Sequence, residues 1–171
     1  VYECVDNAID EVMANFATSI TVRIGVDGSC TVIDYGRGML VDAMKSDNPA
    51  INGRPAVEVI MTQLYAGGKF DDNAYKVSGG LHGIGLKCVN ALSACTDVEV
   101  IKEDKTWMSS CSRGEVNKEL HVVEKYKGKP RRTGTRISFL PDAEIFPDTV
   151  FQYDLLQNRL RELTFLKPGV F

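Results

Sequence analysis

Four glycines stand in the eight residues from Ser78 to Gly85, Ser-Gly-Gly-Leu-His-Gly-Ile-Gly. They leave the backbone free to take positive φ and to approach another molecule closely. Apolar residues at Ile84, Leu86, Val89, Ala91 and Leu92 predict a helix directly after them. Free backbone N–H groups at a helix start, with the positive end of the dipole, make a ready anion site. The run therefore reads as a phosphate cradle. A P-loop would need Lys-Ser/Thr after its second glycine, but Leu86-Lys87-Cys88 follows Gly85. A dinucleotide fingerprint needs a third glycine, where Cys88 stands. What remains is Gly-x-x-Gly-x-Gly at Gly80, Gly83 and Gly85.

Two further groups carry possible chemistry. Glu3 and Asn7 lie four apart, as do Asp6 and Asp10, and Glu11 lies four beyond Asn7. On a helix these positions share one flank. That flank is either a solvated surface or a general base beside an amide ligand for a hard cation such as magnesium, which favours oxygen donors and shares substrate phosphates. Asp34-Tyr35-Gly36-Arg37-Gly38 follows the apolar Val32-Ile33. It is either a plain hairpin turn or a bare-backbone bed for a flat ligand, with Asp34 accepting from an exocyclic amine such as that of adenine.

The surrounding chain must position these groups. Tyr2, Val5, Ile9, Val12, Met13 and Phe16 recur at helical spacing, and Ile20, Val22 and Ile24 alternate before an Asp27-Gly28 turn into Cys30–Asp34, which predicts a helix and then a hairpin. A polar connection covers 40–54, Pro55 opens a second helix through Tyr65, and 66–80 is a long loop of the kind that is commonly functional. Another helix is expected over Ile84–Cys95, strands near Val98–Ile101, Thr106–Ser112, Leu120–Glu124 and Thr135–Leu140, and a closing helix over Phe151–Phe165. Helices interleaved with hairpins indicate an α+β two-layer sandwich.

At 171 residues with 44% hydrophobic and 25% charged content, the chain reads as one soluble domain over 1–171. Its apolar runs are too short to span a bilayer. Five cysteines without a Cys-x-x-Cys, and two histidines, argue against zinc or a disulfide framework and for a reducing cytoplasm. The cysteines read as small apolar fillers. A net charge of −3 argues against a nucleic-acid groove here. The basic cluster Lys125, Lys127, Lys129, Arg131 and Arg132 reads as a solvated hairpin tip. The chain opens without Met inside a helical pattern, which points to a fragment.

Taken together, Glu-x-x-x-Asn on a helix, Asp-x-Gly-x-Gly after a strand and Gly-x-x-Gly-x-Gly before a helix resemble the GHKL ATPase superfamily. Asp6–Glu11, Gly67–Asp72, Tyr75–Ser93 and Arg161–Leu166 resemble the gyrase B family of type IIA topoisomerases in particular, with the topoisomerase IV paralogue and a nucleotide-gated interaction module as alternatives. The resemblance covers nearly the whole chain and implies a Bergerat-type fold, a mostly antiparallel mixed sheet with helices on one face. It also implies ATP and Mg2+ as cofactors, with coupling of ATP hydrolysis to DNA strand passage and negative supercoiling.

Position by position, the resemblance makes Glu3 the general base and Asn7 the magnesium ligand. Asp34 becomes the adenine acceptor, with Gly36, Gly38, Met39, Ile60, Tyr75 and Thr135 around the base. Lys69 and Lys76 approach the phosphates, and Gly80, Leu81, His82, Gly83, Ile84 and Gly85 cradle them. Asp10, Glu11, Arg37 and Lys102 form the pocket rim, with Arg37 pairing with Glu11. Lys102 stands where an arginine favoured by coumarin inhibitors is usual, so inhibitor contacts should differ. Tyr35 stands where an acid is frequent, and Leu40 replaces a common proline. The implied partners are the gyrase A subunit in an A2B2 assembly, DNA, and aminocoumarin inhibitors. A dimerisation arm, a distal catalytic lysine and a histidine supporting the base would lie outside the chain, so little turnover is expected of it alone.

Overall fold

The structure, a computed structural model, describes residues 1–63, 84–125 and 132–165. Helix α1 runs Tyr2–Met13, strands β1 and β2 are Ile20–Ile24 and Cys30–Asp34, and helices α2 and α3 are Ala56–Thr62 and Gly85–Ala91. Strands β3 to β6 are Ser93–Lys102, Lys105–Ser112, Glu115–Lys125 and Gly134–Pro141, and α4 is Tyr153–Thr164. The described strands form one sheet in the order β1-β2-β6-β3-β4-β5, and every pairing between them is antiparallel.

Alternation along the strands separates the two faces. Cys30, Val32 and Asp34 of β2 are buried while Thr31 and Ile33 are not, and Val98 and Val100 of β3 alternate with Asp97 and Glu99. Side chains two apart share a face, so the buried set of each strand meets the helices. Cys4, Val5 and Ala8 of α1, Val57 and Met61 of α2 and Leu86 of α3 close over Cys30, Val32, Val98, Val100, Ile137 and Phe139 in one core. Phe151 packs edge-on to Phe139 at 6.2 Å between centroids, and Leu160 and Leu163 bring α4 against the same core. No described helix is long and apolar enough to cross a membrane.

The structure departs from the sequence expectations at several points. The helix opened by Pro55 and expected through Tyr65 ends at Thr62, because Gln63 is extended at φ −99° and ψ 118°. The helix expected over 84–95 ends at Ala91, because the Ser93 hydroxyl donates to the Val89 carbonyl (2.6 Å) and the chain enters β3 at once. Strand β5 begins at Glu115 rather than near Leu120, since a tight turn with Arg113 and Gly114 at positive φ lets pairing with β4 start at Glu115↔Ser112. Cys4, Cys30 and Cys111 are buried fillers, but Cys88 and Cys95 are exposed. The expected hairpin forms around Gly28, whose φ of 82° suits glycine alone without strain. Pro55 sits at the N-cap of α2, and the long loop at 66–80 lies outside the described residues.

Candidate active site

Helix α1 sets one wall. Its core-facing side holds Cys4, Val5, Ala8 and Val12, which turns the flank with Glu3, Asn7, Asp10 and Glu11 toward the start of α3 at one end and the turn after β2 at the other. Glu3 is exposed and Asn7 and Asp10 are half-buried. At the first end the Glu3 carboxylate lies directly against Gly85, where any Cβ would collide with Oε2. At the second end Glu11 meets Gly36, whose added Cβ would stand 2.5 Å from Oε2. At Gly36 the Cβ and Cγ of Glu11 also lie 2.9 Å from that position, so glycine is needed there, whereas at Gly85 an added Cβ would force the exposed Glu3 carboxylate to swing aside.

Glu11 and Arg37 form a forked pair. Arg37 donates from Nη2 to Oε1 at 2.7 Å, from Nε to Oε2 at 3.2 Å and from its backbone N–H to Oε2 at 2.9 Å. Burial pushes the Glu11 carboxyl up, but the hydrogen bonds and charge of Arg37, with help from Lys102, outweigh it and hold the group below its ordinary value. The guanidinium also lies over the Phe16 ring at 3.9 Å. Lys102, at the end of β3, thus stands near the same rim.

Asp34 closes the floor. It is buried, and its Oδ1 accepts from the N–H of Gly36 (2.9 Å) and of Thr135 (3.4 Å). Burial pushes its carboxyl up to about 6 against those two hydrogen bonds, with the Glu11 charge adding to the rise. A buried carboxyl raised so far above its ordinary value marks a functional candidate. Met39 donates its N–H to Thr135 Oγ1 (3.1 Å), and Thr133 donates to the Gly36 carbonyl (2.6 Å), so β6 fixes the glycine turn from beneath. Gly38 has φ 77°, and a Cβ added there would stand 3.1–3.2 Å from Val100 Cγ1 and the carbonyls of Gly134 and Ile101. Gly134 in turn packs on the Asp34 carbonyl.

The structure thus brings Glu3, Asn7, Asp10, Glu11, Asp34, Gly36, Arg37, Gly38, Met39, Gly85, Lys102 and Thr135 to one region. Ile60 is half-buried on α2 and packs against the core, and Ile84 is the N-cap of α3. Lys69, Tyr75, Lys76, Gly80, Leu81, His82 and Gly83 lie outside the described residues. Phe16 and Arg132 were not anticipated. Phe16 supports Arg37, and Arg132 lies over the Tyr35 ring at 5.2 Å; the aromatic at position 35 was the available signal.

Magnesium keeps several waters and takes one or two protein oxygens beside substrate phosphates. The site fits that habit. No cluster of three or more His, Cys, Asp or Glu side chains able to hold a metal occurs among the described residues, whereas the half-buried Asn7 amide, one turn from Glu3, offers a single neutral oxygen.

Residues 1–145 match the family of histidine kinase-, DNA gyrase B-, and HSP90-like ATPases. The chain is 52% identical over 98% of its length to the DNA gyrase B protein of Thermus thermophilus, covering 25% of that protein. Against the DNA gyrase B protein of Halalkalibacterium halodurans it is 52% identical over 99% of its length, again 25% of the relative. The chain thus spans about a quarter of the length of the curated relatives it matches. Its fold superimposes with a TM-score of 0.82 and 43% identity on the crystal structure of the 43K ATPase domain of Thermus thermophilus gyrase B in complex with an aminocoumarin, covering 99% of this chain and 40% of that one. With its motifs, its sheet and its acid-flanked helix all in agreement, this chain belongs to the histidine kinase-, DNA gyrase B- and HSP90-like ATPase family.

Proposed function

We propose that this chain is the ATP-binding and hydrolysing domain of a gyrase B protein, which in its intact cytoplasmic enzyme drives ATP-dependent strand passage and negative supercoiling with a gyrase A partner. The observation that carries the reading is the Glu3 carboxylate seated against the backbone at Gly85, at the head of α3. A base so placed stands where the last glycine of the phosphate motif begins its helix. From Glu3 to Glu11 is eight residues, about 12 Å along α1 at 1.5 Å per residue. That is a span suited to an extended nucleotide with its terminal phosphate at Glu3 and its base at Asp34.

In this reading Glu3 orients a water and takes its proton as the water attacks the γ-phosphate, a role of general-base type. Asn7 and the nucleotide phosphates would hold the magnesium ion, which neutralises phosphate charge when bound. Asp34 Oδ2 accepts from the adenine amino group while Oδ1 is occupied by Gly36 and Thr135. Aminocoumarin-type inhibitors would occupy the adenine end, near Arg37 and Lys102.

Calorimetric titration of the chain with a non-hydrolysable ATP analogue tests this, with and without magnesium. Binding strengthened by magnesium in the wild type, and no longer strengthened in Asn7→Ala, is expected. No binding in either condition overturns the proposal. In the intact gyrase B protein, Glu3→Ala should lower hydrolysis by about 10²–10⁴-fold with binding retained.

A further inference from the structure

Asn90, on the last turn of α3, is fully buried. Its Nδ2 donates to the Met61 carbonyl at 2.9 Å, and Met61 is the penultimate residue of α2, itself buried. Helix α2 leads into residues 64–83 and α3 leads out of them, so this one bond ties together the two ends from which that segment departs. The amide is retained at a cost, because Asn90 Oδ1 has no hydrogen-bond partner among the described residues. A leucine of nearly the same shape would avoid that cost and lose the donor to Met61 together with the amide's contact with the Cys111 thiol.

Helix α3 also delivers Gly85 to the Glu3 carboxylate. Gly85 to Asn90 is six of the seven residues of this short helix, so a shift at Asn90 moves Gly85 as a rigid body. The floor that would take the base, Asp34 with Gly36 and Thr135, is joined through β2 and β6 and does not depend on that tether.

We infer that Asn90 is a positioning residue: its amide fixes α3 on the end of α2, and so fixes the phosphate end of the site relative to Glu3, without bearing on the adenine end. This rests on the ATP-site reading above. It predicts that the phosphate and adenine ends can be uncoupled by one buried substitution.

The test compares ATP with adenosine by NMR titration, which reaches millimolar affinities, on wild type and Asn90→Leu, with melting curves as a fold control. Losing one net hydrogen bond should weaken ATP about three- to tenfold and leave adenosine within about twofold. Equal weakening of both ligands would make Asn90 merely structural, and no change in either would show that the tether does nothing; both overturn the inference. Failure of wild type to bind ATP overturns instead the functional reading. If Asn90→Leu does not fold, Asn90→Ser, which fits the space and lacks the amide donor, must show the same selective loss. If Asn90→Ser does not fold either, Asn90 is essential to the fold as a whole and the inference fails.

Discussion

Replacing Asp34 by Asn should stabilise the protein while damaging the site. The Asp34 carboxyl is pushed up from 3.8 to about 6, chiefly by burial. A raised folded-state value means that folding favours the protonated form. Its contribution to stability is full below the unfolded value near 4 and is lost as pH rises through about 6. Roughly two units correspond to about 3 kcal/mol, already net of the hydrogen bonds from Gly36 and Thr135. Asn mimics the neutral acid and can still accept from both amides through its carbonyl oxygen. Asp34→Asn should therefore gain about 2–3 kcal/mol at pH 7.5, several degrees in melting temperature for a domain of this size. The advantage should shrink to about 1 kcal/mol at pH 4.5, where the wild-type group is mostly protonated in the fold. The new Nδ2, however, would face the adenine amino group donor to donor, so ATP affinity should fall by about 1.5–3 kcal/mol, or about 10- to 150-fold. Calorimetric melting at both pH values and an ATP titration check the two halves. A variant that melts no higher than wild type at pH 7.5, or whose advantage is the same at both pH values, would refute the assignment of a desolvated, ligand-facing carboxylate.

Three other perturbations follow from the same contacts. Gly85→Ala places a methyl on the Glu3 carboxylate; in the intact gyrase B protein it should reduce turnover about 10²-fold, the scale of a roughly 1 Å misplacement, with little change in melting temperature. Arg37→Ala removes the fork that holds the Glu11 carboxyl down, and because the arginine is about half exposed the loss should be about 1 kcal/mol. That depressed value contributes stability above pH 4.5, lost as pH falls through the folded-state value, so denaturant titrations of wild type and variant should converge as the pH is lowered below the ordinary carboxylate range. Gly38→Ala meets both a left-handed φ and three contacts at 3.1–3.2 Å, and should cost about 1–3 kcal/mol in chemical denaturation, with weakened ATP binding because the turn after Asp34 must shift.

Much of this site was legible in the sequence because its parts are local. An i,i+4 pair needs only a helix, and an alternating glycine turn needs only a strand before it. Thus Glu3 with Asn7, and Asp34 with Gly36 and Gly38, could be named from spacing. The Arg37–Glu11 pair came from resemblance, since 26 residues separate the partners and no local rule joins them. The end of α3 is not legible in the sequence, because Leu92, Ser93 and Ala94 fit a helix as well as a strand. Only pairing with β6 at Ser93↔Pro141 and the Ser93 hydroxyl on Val89 decide for the strand. Phe16 beneath Arg37 had no readable signal, because an apolar residue at helical spacing reads as core.

By itself the sequence determined most of the helical and strand segments but not all of their ends, along with the acidic flank of α1 and the glycines before α3, since these depend on side-chain periodicity and backbone freedom over a few residues. Tertiary structure alone decided what those residues do to one another. Gly85 of α3 meets Glu3 of α1 because both helices pack on one sheet face, and Asp34 titrates high because β6 and the glycine turn exclude water from it. Asn90 ties α3 to α2 only because the fold sets its amide against the carbonyl of Met61. Each of these is a contact between segments distant along the chain, whose energy comes from burial and close approach that no local pattern encodes.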